Sequence, residues 1–265
     1  MSSSPMAHLE IGLCLDLHMT DWSQLHHAYG TAEDIPALLD AVGPDPRDPG
    51  WDALASRLYH QGGVYSASYA ALPELAEKAR QWSLAERRMP LYLAGQIVAS
   101  RDIRDEVVDP FVTHAADIAE LLALTEEALG DPALVDDSLN YVQLLSTLLS
   151  FEGVEGWGEH LDQVNGEEYE VPCPACFSEN FIVLGEGCRY STADEMYFKR
   201  PPAHTIPLQP QDPTTADGLL PRLHTRALSD GHPEVAGKLP YVFGHAHCVH
   251  CGELFSVPEA ILARC

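Results

Sequence analysis

The sequence predicts a mainly α-helical body followed by a small C-terminal β module. Three observations carry this prediction. Apolar residues recur at helical spacing through residues 20–150. A glycine-rich, acidic stretch, Phe151-Glu152-Gly153-Val154-Glu155-Gly156-Trp157-Gly158, then breaks the pattern. Beyond it the apolar period becomes that of strands, and two Cys-x-x-Cys pairs appear, Cys173-Pro174-Ala175-Cys176 and Cys248-Val249-His250-Cys251.

The helices follow in order. Thr31-Ala32-Glu33-Asp34 reads as a capping box opening a helix with Ile35, Leu38, Leu39 and Val42 on one face. The breaker-rich run from Gly43 to Gly50 ends it. Trp51, Leu54, Leu58 and Tyr59 restart the period, and Gly62-Gly63 closes it. Tyr65 to Trp82 is alanine-rich, with Tyr65, Tyr69, Leu72 and Leu75 on a stripe and Pro73 placed to kink or restart the helix. Further helices are expected over 90–100, 109–129 and 132–150. Their buried stripes would be Phe111, Ile118, Leu121, Leu122 and Leu129, then Tyr141, Leu144, Leu145, Leu148 and Leu149. The helices pair as antiparallel hairpins of roughly 30–45 residues, the size of α-solenoid repeats. Internal identity between the pairs is weak, so a non-repetitive bundle is the alternative. Trp157 is a large apolar group that favours an ordered boundary.

In the C-terminal part, Tyr169-Glu170-Val171 leads into the first cysteine pair and Phe181-Ile182-Val183-Leu184 leads out. Tyr241-Val242-Phe243 leads into the second and Leu254-Phe255-Ser256-Val257 leads out. Each set predicts a hairpin with a cysteine knuckle at its tip. Residues 188–240 form a long proline-rich insertion between the hairpins, with short helices expected at 216–229 and 233–239. The expected division is 1–158 for the helical body and 159–265 for the cysteine module.

The chain of 265 residues is 46% hydrophobic, enough for a real core, and carries a net charge of −25. The charge is uneven: residues 1–165 hold 8 basic and 27 acidic residues, with the densest acidic cluster over 102–137. That balance disfavours nucleic acid, whose binding needs clustered Lys and Arg, and disfavours anionic membranes. A basic protein is the charged partner it fits; a soluble protein from an acidic proteome is the plainer reading. The apolar run at 11–15 is short and followed at once by Asp16, so neither a signal peptide nor a membrane span is expected, and a reducing cytoplasm is the default.

In such a compartment paired Cys-x-x-Cys turns read as metal ligands before disulfides. Each turn puts two thiolates on one side of a tight loop. Two turns complete the four-sulfur tetrahedron that Zn²⁺ prefers, with Cys173, Cys176, Cys248 and Cys251 as ligands. Such a shell is closed, so the zinc would be structural. His245, His247 and His250 crowd the second knuckle and are either an alternative ligand or neighbours of the shell. Cys188 and Cys265 have no partner at knuckle spacing, and Cys14 reads as a small buried hydrophobe. His26 and His27 point about 100° apart on a helix and do not converge on an ion. His60-Gln61-Gly62-Gly63 reads as a helix C-terminus. Phosphate-loop, dinucleotide and nucleophile-elbow motifs are lacking.

Two resemblances follow. Cys173, Cys176, Cys248 and Cys251, with Pro174 and Gly252 in their usual knuckle positions, resemble the zinc-ribbon family. This chain departs from it in the long gap between the pairs, and in Phe177 where glycine is usual. The stretch Leu25-His26-His27-Ala28-Tyr29-Gly30, with Ile35-Pro36-Ala37-Leu38-Leu39 and His60-Gln61-Gly62-Gly63-Val64-Tyr65 before an alanine-rich helix, resembles an uncharacterised family of bacterial HEAT-like helical-repeat proteins. That resemblance implies a HEAT/armadillo-like fold more than a function. The reading is a non-enzymatic protein-interaction protein with a structural zinc, one form being an acidic immunity or adaptor protein for a basic partner. The alternative is a metal-dependent enzyme or regulator. It would use His245, His247 and His250 with His204, His224 and His232 of the insertion.

Overall fold

The computed structural model describes residues 20–105, 108–185, 187–194, 202 and 204–263. The run at 11–15, Cys14 and Cys265 lie outside them. The chain is mainly helical with small sheets, as the periodicity predicts.

A two-residue hairpin, β1 (His26–His27) with β2 (Gly30–Thr31), precedes α1 (Ile35–Ala41). The expected capping box is absent. Thr31 belongs to β2, and the N-cap of α1 is Asp34, whose side chain makes no cap bond. Its carboxylate instead binds His27 Nε2 (3.0 Å) and Arg57 Nε (2.8 Å). Tyr29 donates its backbone N–H to His27 Nδ1 (3.0 Å), so both ring nitrogens of His27 are used in holding the turn.

α2 (Pro49–Leu58) starts at an Asp48 cap with proline in its first turn, and Trp51 from it donates to Gly43 O (3.0 Å). β3 (Gly63–Val64) follows. Pro73 acts as expected: one helix becomes α3 (Ser66–Ala70) and α4 (Leu72–Gln81), with the break at Ala71. Next come α5 (Arg88–Ala99), then β4 (Asp102–Ile103), which pairs parallel with β3. The expected helix over 109–129 is broken at His114 into α6 (Pro110–Thr113) and α7 (Ala115–Leu129). Phe111 is therefore partly exposed, while Ile118, Leu121 and Leu129 are buried. α8 (Ser138–Phe151) starts later than its apolar pattern implies, because Asp137 caps it by accepting from Asn140 N (2.7 Å).

α4 pairs with α5 and α7 with α8; α4 also packs on α7, and α5 on α8, so the hairpins stack in two layers. Gly153 and Gly156 take left-handed backbone after α8 and lead into α9 (Trp157–His160). A 3₁₀ segment, Leu161–Gly166, follows.

β5 (Glu168–Pro172), β6 (Glu179–Val183), β7 (Tyr190–Thr192) and β8 (Thr205–Pro207) form an antiparallel meander in that order. α10 (Leu219–Ser229) and α11 (Pro233–Val242) form the helical pair expected within 188–240. Tyr241-Val242-Phe243 is not the expected strand. Tyr241 and Val242 close α11 and Phe243 caps it, because Val235, Ala236, Leu239 and Val242 bury one helical face. The strand is displaced to β9 (His245–His247), paired with β10 (Leu254–Ser256), and α12 (Val257–Leu262) ends the described chain.

The buried core runs from Ala32 to Ile261 as one cluster. Its contacts cross the glycine-rich stretch. Trp157 stacks on Phe243 (centroids 4.5 Å, 27°). Tyr141 of α8 stacks on His232 (3.9 Å, 10°) and donates to Asp230 (3.1 Å). Arg226 bridges Asp230 (2.6 Å) and Glu126 of α7 (3.0 Å). The α10–α11 pair is thus tied to α7 and α8. No helix among the described residues is long and apolar enough to cross a membrane.

Candidate metal centre

The two cysteine loops have the same construction. In the first, Cys173 N–H donates to Ser178 O (2.9 Å) and Phe177 N–H to Cys173 O (2.9 Å). In the second, Cys248 N–H donates to Glu253 O (2.8 Å) and Gly252 N–H to Cys248 O (2.9 Å). Both need left-handed backbone at the residue after the second cysteine, and it is found there: φ is 60° at Phe177 and 81° at Gly252. Only glycine takes that conformation without a steric cost, which explains Gly252 and makes Phe177 the strained member.

Phe177 is also 80% exposed and packs little. Phe177→Gly should therefore stabilise the protein by about 1 kcal/mol, measured by chemical denaturation with metal bound.

The loops meet because their hairpins are joined side by side. Gln209, just past β8, exchanges backbone bonds with His245 of β9 (2.9 and 2.8 Å), and Ser191 Oγ donates to His247 O (2.7 Å). The junction needs Gly244, where a Cβ would lie 2.2 Å from Gln209 O.

The structure brings Cys173, Cys176, Cys248 and Cys251 together, with all four sulfurs within 4.8 Å of one another. The first cysteine of each loop faces the second of the other: Cys173 to Cys251 and Cys176 to Cys248 are both 3.7 Å. A disulfide would need about 2.05 Å. A tetrahedron with metal–sulfur bonds of about 2.3 Å has edges of about 3.8 Å. The four thiols therefore fit a single ion of that size. Cys173 and Cys248 are buried, and Cys176 and Cys251 are exposed.

The surroundings divide the four thiols, pulling Cys176 and Cys248 down and pushing Cys173 and Cys251 up. Ser178 N–H pulls the Cys176 thiol down to about 6. Burial opposes ionisation of Cys248, but the N–H groups of Cys251 and His250 and the Asn180 amide outweigh it and hold that thiol below its ordinary value. Burial raises Cys173, and at Cys251 the Glu253 N–H is outweighed by desolvation and the neighbouring thiols, which push it up to about 12.

Asn180 is the functional residue that the cysteine pattern does not reveal. It is fully buried on β6, and each polar atom of its side chain is used. Oδ1 accepts from Val249 N (3.0 Å), and Nδ2 donates to Ser178 O (3.0 Å) and lies 3.6 Å from Cys248 Sγ. It ties the first knuckle to the second. Its signal was a residue depleted from strands standing in an otherwise apolar run, Asn180-Phe181-Ile182-Val183. Asn180→Ala strands the Val249 N–H and should weaken metal binding by about 10–100-fold, read by competition with a chromophoric chelator.

No family model, curated protein or solved structure matches this chain.

The histidines do not assemble. Among the described residues the four cysteines are the one group of three or more His, Cys, Asp or Glu side chains placed to hold an ion. His247 spends Nδ1 on Gly252 O (3.0 Å) and Nε2 on Gln209 (3.2 Å). His250 offers its backbone N–H to Cys248 Sγ (3.4 Å). His245 is exposed, while His232 is buried against Tyr141 and bonds Glu234 (3.1 Å).

Proposed function

We propose that the protein is a non-enzymatic interaction protein whose C-terminal module is held by one structural Zn²⁺ on Cys173, Cys176, Cys248 and Cys251. The observation that carries this is the four-sulfur cluster itself, with both cross-loop pairs at 3.7 Å. Four thiolates fill a tetrahedral shell and leave no position for water or substrate, so the metal stabilises and does not catalyse. Zinc is the ion this ligand set selects in a reducing cytoplasm, where such thiols stay unpaired.

The two-layer stacking of α4–α5 on α7–α8 supports the solenoid reading, in which a continuous helical face serves as the docking surface. The net charge of −25 supports a basic protein partner, one concrete form being an immunity or adaptor protein that caps a basic toxin or nucleic-acid-binding protein. Within 102–137, Asp109 and Asp137 cap helices, and Glu126 and Glu127 pair with Arg226 and Arg87. Asp136 stays exposed to solvent.

The test is partner capture from the native cell followed by association kinetics. The proposal expects a basic partner whose on-rate falls steeply as salt shortens the Debye length from about 30 Å at 0.01 M to about 8 Å at 0.15 M. An acidic partner, or an on-rate indifferent to salt, would overturn the steering and leave the metal assignment standing.

A further inference from the structure

A second site lies away from the knuckles in sequence and in lining. A cleft of about 610 Å³ is lined by residues including Tyr59, Gln61, Arg101, Glu159 and Gln163. Tyr59 and Glu159 also line a smaller recess of about 50 Å³, whose walls include Tyr92, Gln96, Ser146 and Asp162.

The recess follows from close packing. A Cβ on Gly158 would lie 2.5 Å from Ser150 Oγ and 3.0 Å from Ala99 Cβ, so only glycine lets α9 sit this tightly on α5 and α8. Ser146 Oγ fastens it by donating to Gly158 O (2.8 Å). Held there, Glu159 and Asp162, three residues apart, line the same recess.

The charges of this site are not balanced. Arg101 is paired with Glu155 (2.7 Å), and Asp102 with Arg104. Glu159 has Arg101 nearby, but for Asp162 only backbone N–H groups, its own and that of Gln163, oppose the burial that raises its carboxyl. Burial raises the phenols of Tyr59 and Tyr92; the next cause is the charge of Glu159 and then of Asp162 at Tyr59, and that of Asp162 at Tyr92. Both phenols and both carboxylates line the recess. Half-buried carboxylate, hydroxyl and amide oxygens thus face a space with room for a compact head group and no cation of their own at Asp162.

The geometry points to a binding site for a primary alkylammonium group, seated in the recess against Asp162 and Glu159 with its carbon chain leaving past Tyr59 into the cleft. An ammonium carries three donors on a compact head, which suits an acceptor-lined recess, whereas a guanidinium is a planar fork that needs more width. A free polyamine and a lysine side chain share this chemistry. The site goes beyond the steered-partner reading and does not use the 102–137 cluster apart from the rim residue Asp102.

Titration calorimetry at about 0.15 M salt, where diffuse attraction to the acidic surface is screened, tests it with three probes: cadaverine, an end-capped peptide with one lysine, and butylguanidine, which carries a guanidinium and no primary amine. The expected result is one saturable amine per chain. Asp162→Asn should weaken it at least about ten-fold, and the exposed, charge-matched Asp136→Asn by less than about two-fold. Butylguanidine should bind more weakly than cadaverine. Tighter binding of cadaverine would assign a free polyamine, and tighter binding of the peptide a protein lysine. Absence of saturation up to about 10 mM amine, equal losses in the two variants, or butylguanidine binding as well as cadaverine would overturn it. Retained metal content and helical signal in Asp162→Asn show that the variant is folded. Partner capture is measured separately, so failure here is distinguishable from failure of the steering proposal.

Discussion

Replacing Cys248 with serine should release the metal and loosen the cysteine module. Cys248 is fully buried, and its sulfur is the one approached both by the Asn180 amide and by the His250 N–H. The meander and the β9–β10 hairpin are joined at the tip by the four thiols and behind it by the Gln209–His245 bonds. A bound metal contributes on the order of 10 kcal/mol to a small thiolate module, comparable to the whole stability of a domain. Hydrogen exchange should show lost protection in β5, β6, β9 and β10. Cys188→Ser, at an exposed cysteine outside the cluster, should leave both metal and protection unchanged. Metal retained by Cys248→Ser at wild-type affinity would remove this cysteine from the shell.

Trp157→Ala should be the most damaging change away from the cysteines. Trp157 is 5% exposed and stacks on Phe243, which ends α11 immediately before Gly244 and β9. Truncating a buried tryptophan costs about 3–5 kcal/mol. In a chain of this size that lowers Tm by about 6–20 °C. Because the ring lies in the core shared by the helices and the β hairpins, calorimetry should show the loss in one transition that chelation also shifts. Two separate transitions, of which Trp157→Ala moved only one, would show that the two parts unfold independently.

Much of the fold was legible because it rests on local signals. Pro73 announced the break between α3 and α4, and the stripe from Tyr141 to Leu149 is buried as its period required. The four cysteines were legible by spacing alone. What the sequence concealed depends on contacts between distant segments. Thr31 looked like a cap, but Asp34 is drawn off by His27 and Arg57, which lie 7 and 23 residues away. Tyr241-Val242-Phe243 has strand composition, yet the apolar face shared with Val235 and Leu239 makes it a helix end. Asn180 and the Glu159–Asp162 recess are single polar residues whose partners come from other elements, and no spacing rule marks them.

The metal-to-chain ratio of protein purified without chelator, taken by native mass spectrometry alongside thiol counting, tests the central claim most directly. The account predicts one zinc per chain, with Cys173, Cys176, Cys248 and Cys251 shielded from thiol reagents until the metal is stripped. A metal-free chain, folded and with those four thiols freely reactive, would contradict it.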